Sequence, residues 1–147
     1  MEDARRDRGV AGEGGRPAFS IRLEVRDYEL DAQGIVNNAN YLHYFEHARH
    51  AFLRSRGIDF VAMHEEGLDA VVHRVEIEYA ASLRSGESFD VFVSARREGR
   101  LRLVFDQELR KEGGALSARA RVAAALVRGG RPVPPSEELA AMLFEGV

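Results

Sequence analysis

The sequence contains no cysteine and no long apolar run, and each absence removes a class of protein. Without cysteine the chain has no disulfide, no thiolate nucleophile and no thiolate ligand for a metal. No apolar stretch is long enough to span a bilayer, and the amino end lacks the apolar core of a secretory signal. A Gly-x-Ser-x-Gly motif, a phosphate-binding glycine loop and a zinc-type His/Glu motif are also missing. We therefore expect a cytoplasmic protein without a membrane span or a metal site, which is not a serine hydrolase, a nucleotidase or a zinc hydrolase.

The length and the charge narrow the class further. A chain of 147 residues fits one domain with one hydrophobic core. Residues 1–17 mix arginine, acid and glycine without apolar periodicity, so we expect a disordered tail there and one domain over residues 18–147. The net charge of −3 argues against a nucleic-acid partner. The basic charge is almost all arginine, which suits the binding of phosphate groups.

Hydrophobic periodicity predicts three helices. Apolar residues at helical spacing indicate a long helix from about Asn40 to Arg56, which Gly57 ends. Residues 58–66 are predicted to form a short second helix, and Ser136 is the predicted cap of a terminal helix. The long helix has an apolar face, so we expect it to be buried at the centre of the domain.

The remaining segments alternate with the period of a strand. Ile21 to Val25 predict a first strand before the long helix, and four more strands are predicted over residues 70–80, 88–97, 101–111 and 115–128. The breaks between these four strands are short, which predicts an antiparallel meander in chain order. The expected fold class is α+β, with an antiparallel sheet wrapped around the long central helix.

One bend joins the first strand to the long helix and contains the strongest candidate site. Asp31 follows the strand and Gly34 provides a turn, so a carboxylate is expected close to the N-terminus of the helix. A helix N-terminus offers free backbone N–H groups and a positive dipole end, which suit a developing oxyanion. Asp31 would then act as a nucleophile or as a general base. Taken alone, an aspartate in a turn is more often structural.

The residues around this bend resemble a known family. The pattern Asp31-x-x-Gly34-Ile-Val, followed by Tyr41 and by Tyr44-Phe-Glu-x-Ala-Arg49, resembles the active-site segment of the 4-hydroxybenzoyl-CoA thioesterase family. The similarity continues through residues 75–79, 83–89 and 131–135, and it is closest to the acyl-lipid branch, which cleaves acyl groups from acyl carrier protein. The resemblance implies a single hotdog domain that hydrolyses acyl thioesters on acyl carrier protein or coenzyme A, with water and without a cofactor.

The same resemblance implies roles for individual residues. The amide that receives the thioester carbonyl lies seven residues after the acid, which is Asn38 here, and its side chain is a candidate helix cap. Gly34, Tyr41 and His73 are candidate substrate contacts. Hotdog thioesterases of this kind work as dimers or tetramers with sites between subunits, so a homo-oligomer is expected.

Other acids and histidines are weaker candidates. Glu46 on the long helix is a second possible acid, because some hotdog thioesterases carry their carboxylate there, but a pair with Arg49 or His50 is the commoner role. His43, His47 and His50 have helical spacing, yet no partner ligand is indicated, and a solvated or interface face is favoured over a metal site. His73 lies on the apolar-rich side of its strand, where a core histidine is the usual case.

Two further function classes remain open beside thioester hydrolysis. The first is a hotdog module that binds acyl thioesters without turnover, and the intact Asp31 argues against it. The second is a hotdog enoyl-thioester hydratase. Asp59 and His64 have the spacing of that motif, but its internal asparagine and proline are missing and the pair follows the long helix, so we interpret it as coincidence.

Arginines surround one predicted hairpin, and they suit a phosphate-bearing ligand. They are Arg96, Arg97, Arg100 and Arg102. A solvated edge is the usual explanation for such a run. In the resembling family, basic residues near this hairpin meet the phosphates of coenzyme A, and an acyl carrier protein is an acidic partner with a phosphopantetheine arm. Arg97, Arg100 and Arg102 are therefore candidate docking residues for either ligand.

Overall fold

The computed structural model describes residues 18–145, so the predicted tail over residues 1–17 lies outside the described residues. The elements, in chain order, are β1 (Phe19–Glu24), a 3-10 turn (Asp27–Glu29), α1 (Asn38–Ser55), α2 (Phe60–Glu65), β2 (Leu68–Tyr79), β3 (Ser88–Glu98), β4 (Arg102–Lys111), β5 (Leu116–Arg128), β6 (Arg131–Val133) and α3 (Glu137–Phe144). No helix within residues 18–145 is long and apolar enough to cross a membrane.

The helix α1 forms the centre of the domain, as its apolar face predicted. Its buried side chains recur at helical spacing and are Tyr41, Tyr44, Phe45, Ala48, Phe52 and Leu53. The helix ends where Gly57 adopts a positive φ of 76°, which a side chain with a Cβ rarely adopts. The N–H of Ile58 then donates to the carbonyl of Leu53 at 3.0 Å, and the N–H of Gly57 donates to that of Arg54 at 3.0 Å. This double closure is a Schellman motif, and the predicted role of Gly57 is confirmed.

The sheet is antiparallel and curls around α1, which confirms the α+β hotdog architecture. Its strand order is β1-β3-β4-β5-β2, and β6 pairs with the end of β5. The core lies between the concave side of the sheet and α1, and it includes Phe89, Leu109 and Leu126. The type of each predicted helix and strand within residues 18–145 is therefore correct. The short strand β6 and the 3-10 turn were not predicted.

The predicted meander of four strands is wrong for β2. Only β3, β4 and β5 follow each other in space, whereas β2 pairs with β5 and β1 pairs with β3. The segment 80–87 between β2 and β3 is longer than a tight hairpin loop, so it can carry the chain from one sheet edge to the other. Strand periodicity predicts a strand but does not predict its neighbour, because the pairing depends on how the sheet closes around α1.

The strand β2 is also less buried than its alternating pattern predicted. Val71, Val72, Val75 and Tyr79 are 43 to 48% exposed. His73, expected in the core, is exposed, like its neighbours on both faces of β2, and it lies where the register between β2 and β5 shifts at a bulge. The strand lies at an edge of the sheet, where α1 covers only part of its inner side.

Candidate active site

The bend after β1 is a closed loop. Leu30 and Val36 form an isolated bridge, and the N–H of Asp31 donates to the carbonyl of Ile35 at 2.8 Å. The chain reverses through Gly34, whose φ is 78°, and the N–H of Gly34 donates to the carbonyl of Asp31 at 3.1 Å. A Cβ at Gly34 would meet no atom within 4 Å, so the glycine is required by its backbone conformation alone.

The carboxylate of Asp31 is oriented by its own loop. Its Oδ1 accepts hydrogen bonds from the N–H groups of Gln33 at 2.8 Å and Ile35 at 3.4 Å. The turn role that is common for aspartate is therefore real for this oxygen. The side chain is half-buried, and its Oδ2 accepts no hydrogen bond from residues 18–145. The loop thus holds the carboxylate through Oδ1 alone.

The N-terminus of α1 follows this loop, and its cap differs from the prediction. The side chain of Asn37, not that of Asn38, caps the helix by accepting from the N–H of Ala39 at 2.9 Å. Asn38 is the first helical residue, two positions earlier than predicted, and its side chain is exposed. The N–H of Asn38 has no acceptor within the described part of the chain. A first-turn N–H without a partner is the donor that an oxyanion requires.

The backbone of Glu29, a buried residue that the sequence did not single out, joins the loop to the start of the helix. The carbonyl of Glu29 accepts from the N–H of Asn37 at 2.9 Å and from Nδ2 of Asn40 at 2.8 Å. The carboxylate of Glu29 is 8% exposed and accepts from the N–H of Arg26 at 2.7 Å. Burial raises the pKa of Tyr44, and the neighbouring Glu29 raises it further. The sequence held one signal for Glu29: it is an acid two residues before Asp31, inside the segment that resembles the thioesterase family.

Two tyrosines meet at the same helix end. The hydroxyl of Tyr79 donates to the carbonyl of Asn38 at 3.0 Å, and its ring lies edge-on to Tyr41 with centroids 5.2 Å apart. Tyr41 is 4% exposed and its hydroxyl is bonded to that of Ser117 at 3.2 Å. Tyr41 is thus a core residue, and its predicted contact with a substrate stays a prediction. The sequence did not predict a role for Tyr79, although it is the last residue of the segment 75–79 that resembles the family. Burial raises the pKa of its hydroxyl.

The second candidate acid lies apart from this end of α1. Glu46 follows Asn38 by eight residues, which is about 12 Å along the helix at 1.5 Å per residue. It is exposed and lines a cavity of about 1160 Å³ that does not include Asp31 or Asn38. Burial lowers the pKa of Arg49 and of His50, and the charge of Glu46 opposes the shift in both. The guanidinium of Arg49 donates to Gln107 at 3.0 Å.

The histidine motifs do not come together into a site. Asp59 caps α2 by accepting from the N–H groups of Val61 and Ala62 at 3.0 and 3.1 Å, whereas Nδ1 of His64 bonds Asp69 at 2.7 Å. Asp59 and His64, which have the spacing of the hydratase motif, therefore bind different partners. Within residues 18–145 no group of three or more His, Asp or Glu side chains is arranged to hold a metal ion.

The arginine hairpin lies at the opposite end of the sheet from Asn38 in the same chain. Tyr79, which contacts Asn38, pairs with Ala118 across the sheet, and Ala118 pairs with Leu109 of β4. Arg102 lies seven residues before Leu109 on β4, or about 24 Å along the strand. Arg102 is paired with Glu98 at 3.0 Å. Arg97 donates to the carbonyl of Arg100 at 2.7 Å, and neither has a carboxylate partner among the described residues. Of the four arginines at this hairpin, Arg97 and Arg100 are therefore the two whose charge is not neutralised by a carboxylate within residues 18–145.

Comparison with known proteins finds similarity to thioesterases. The sequence profile of the thioesterase-like superfamily matches residues 25–143. The chloroplastic acyl-acyl carrier protein thioesterase ATL2 of Arabidopsis thaliana is 40% identical over 100 residues, which are 68% of this chain and 52% of that protein. The chain thus spans about half the length of the plant relative.

Solved structures agree with this similarity. A hypothetical protein from Aquifex aeolicus superposes with a TM-score of 0.79 at 35% identity, covering 85% of this chain and 98% of that one. A thioesterase from Thermus thermophilus, complexed with coenzyme A and Zn, superposes with a TM-score of 0.74 at 28% identity, covering 86% and 92%.

Proposed function

The chain belongs to the thioesterase-like superfamily, and we propose that it hydrolyses acyl thioesters with Asp31 as nucleophile or general base and with the Asn38 N–H as oxyanion donor. Family membership gives the reaction class. The observation that carries the assignment of residues is the unpaired N–H at the first position of α1, beside a loop that holds a carboxylate with one free oxygen.

The chemistry follows from these two groups. When the thioester carbonyl is attacked, negative charge develops on its oxygen, and the Asn38 N–H together with the positive end of α1 stabilises that charge. Oδ2 of Asp31 either attacks the carbonyl carbon itself, forming an acyl intermediate that water then cleaves, or removes a proton from the attacking water. The thiolate leaves readily because thiols have a pKa of about 8.5. The chain needs only water as co-substrate, and no cofactor enters the mechanism.

We further propose that the acyl group is fatty and is presented on acyl carrier protein or on coenzyme A. Both carriers bring phosphate, and an acyl carrier protein is acidic as well. Arg97 and Arg100 are exposed and have no carboxylate partner in the described part of the chain, so they are free to bind such a ligand. Arg102 is a weaker docking candidate, since Glu98 already pairs with it.

The exposed edge of the sheet supports a homo-oligomer with shared sites. β2 has twelve residues and, among residues 18–145, pairs with β5 alone, and it exposes large apolar side chains. A long apolar edge strand is a template for pairing with another strand. Antiparallel pairing of β2 with its copy would bring the arginine hairpin of one chain towards the Asn38 end of the other. A solution mass of 16.4 kDa, that of one chain, would contradict this arrangement.

Thiol release tests the proposed function directly. Wild-type protein is incubated with acyl thioesters on coenzyme A and on carrier protein, because neither hydration nor simple binding releases a thiol. Asp31→Asn should lose most of the activity while circular dichroism and melting temperature stay unchanged, since the amide keeps the shape but is neither a base nor a nucleophile. Glu46→Gln is the matched control. If Glu46→Gln is inactive and Asp31→Asn is nearly normal, the catalytic acid lies on α1 instead.

A further inference from the structure

Two hydrogen bonds join the segment 29–36, here called the Asp31 loop, to the first turn of α1, and both end at one carbonyl. That carbonyl belongs to Glu29 and accepts from the N–H of Asn37 at 2.9 Å and from Nδ2 of Asn40 at 2.8 Å. A carbonyl oxygen has two lone pairs, so both are used. Because a carbonyl only accepts, the side chain of Asn40 must turn its amino group towards the loop, which fixes the orientation of the amide.

The two hydrogen bonds restrain different movements. Asn37 follows the Asp31 loop directly, so its N–H acts at the point where the chain enters α1. Asn40 lies nearly one helical turn of about 3.6 residues further on, and its bond to the same carbonyl resists rotation of α1 about that point. Within residues 18–145, Asn40 is the one side chain of α1 that is hydrogen-bonded to the backbone of this loop. The orientation of the helix start therefore depends on this side chain.

The residue type at position 40 suits this bond better than it suits a helix. Asn40 is the third residue of α1, a position where glutamate or glutamine often accepts from the N–H of the cap residue. Here the cap residue Asn37 donates its N–H to Glu29 instead, so no acceptor is needed at position 40. Asparagine also has a lower helix propensity than glutamine or glutamate. We therefore interpret the partly buried amide of Asn40 as a tether between the loop and the helix.

Asn38 lies inside the turn that this tether holds. Its N–H is the candidate oxyanion donor, and its carbonyl accepts from the hydroxyl of Tyr79 at 3.0 Å. The Asp31 loop is closed on itself by the bridge of Leu30 and Val36, so it holds its carboxylate as one unit. The distance between that carboxylate and the Asn38 N–H therefore depends on how this unit is attached to α1.

We propose that Asn40 is a positioning residue, whose amide holds the first turn of α1 to the Glu29 carbonyl and so fixes the Asn38 N–H relative to the Asp31 carboxylate. The inference rests on the thioester hydrolysis proposed above, and Asn40 acts through Asn38 without touching a reacting atom. A displacement of about 1 Å between catalytic groups can lower a rate about a hundredfold. Loss of the tether should therefore lower kcat, whereas loss of a contact with the substrate would raise KM.

Two substitutions remove the tether in different ways. Asn40→Ala deletes the donor and leaves the Glu29 carbonyl with the Asn37 N–H, so that carbonyl keeps one partner. Asn40→Asp keeps the size but only accepts hydrogen bonds, and a carboxylate in the first turn is favoured by the helix dipole. His43→Ala is the matched control, because His43 is exposed, lies in the next turn of α1, and has a side chain without a hydrogen bond in the described part of the chain.

The measurements are steady-state thiol release, from the acyl thioester that the wild type hydrolyses fastest, and melting followed by circular dichroism. Asn40→Ala and Asn40→Asp should each lower kcat by about ten- to a hundredfold and leave KM within about twofold. His43→Ala should match the wild type in both constants. Asn40→Ala should melt within a few degrees of the wild type, and Asn40→Asp at the wild-type temperature or above it. A loss of folding cannot then explain the loss of kcat.

A double-mutant cycle with Asn38→Pro shows whether Asn40 acts through the Asn38 N–H. Once that donor is absent its position no longer matters, so adding Asn40→Ala to Asn38→Pro should lower kcat by no more than about threefold. A residue that only supports the fold would lower kcat by the same factor in both backgrounds. The cycle uses alanine because the charge of an aspartate itself repels an oxyanion.

Failure of this inference differs from failure of the proposed function. If Asn38→Pro is slow but Asn40→Ala keeps kcat within about threefold of wild type, or loses the same factor in both backgrounds, Asn40 does not position the donor although the enzyme is a thioesterase. A raised KM with unchanged kcat would make Asn40 a substrate contact and would also overturn the inference. If the wild type releases no thiol, or if Asn38→Pro is as fast as the wild type, the proposed function or its oxyanion donor is wrong, and the inference falls with it.

Discussion

Replacing Asn38 with proline removes one backbone donor and little else. The N–H at this position donates to no protein acceptor within residues 18–145, so no intrahelical hydrogen bond is lost. Proline is favoured at the first position of a helix, where its fixed φ suits the backbone. Asn37 has φ −58° and ψ 133°, close to the polyproline II conformation, which is compatible with a following proline. The carbonyl that accepts from Tyr79 remains.

The expected magnitudes separate folding from catalysis. The cap from Asn37 to the N–H of Ala39 is untouched, so the free energy of unfolding should change by no more than about 1 kcal/mol, which is a few degrees in Tm. Loss of one oxyanion donor typically lowers kcat by a factor of about 100 to 1,000, or about 2.7 to 4 kcal/mol in transition-state energy. The effect should fall on kcat and leave KM nearly unchanged, because the charge exists only in the transition state.

Steady-state thiol release, combined with circular dichroism melting, measures both effects on the same samples. Asn38→Ala is the matched control, since it removes the same exposed side chain but keeps the N–H, and it should retain kcat within about threefold of wild type, because the backbone carries the role. If Asn38→Pro melts like the wild type and its kcat equals that of Asn38→Ala, the Asn38 amide is not the oxyanion donor. The reasoning from the helix N-terminus would then be refuted.

Three further outcomes are expected. Charge reversal at Arg97 and Arg100 together should raise KM far more than it lowers kcat, and the effect should shrink at high salt; an unchanged KM at low ionic strength would show that this hairpin does not dock the carrier. Tyr79→Phe keeps the ring and removes the hydrogen bond to Asn38, so kcat should fall while the free energy of unfolding drops by only about 0.5 to 1.5 kcal/mol, as kinetics and melting would report. Burial lowers the pKa of His50, so the unfolded chain binds a proton that the folded chain refuses, and stability should decline as pH falls from about 6.5. His50→Asn should melt with a weaker dependence on pH over that range, and an identical dependence would contradict the assignment.

The candidate site shows where sequence reasoning reached its limit. The acid, the glycine and the amide position were all named from residues close together in the chain, because a strand, a bend and a helix start are local events. The identity of the cap was wrong by one residue, since Asn37 and Asn38 are chemically the same and only the backbone conformation selects between them. Glu29 and Tyr79 could not be placed by spacing, because their partners become neighbours only after the loop closes and β2 folds back beside α1.

The sequence by itself determined the long helix, the main strands, the α+β class and the local acid at a helix N-terminus, because apolar periodicity, caps and glycine turns act over a few residues. Tertiary structure alone decided that β2 pairs with β5 instead of β3, that His73 is exposed at a bulge, and that Tyr41 is a core residue. It also separated the arginine hairpin from Asn38 by the length of a strand and opened a cavity beside α2. These features depend on how a curled sheet closes around one helix, and no local pattern records which strands become its edges.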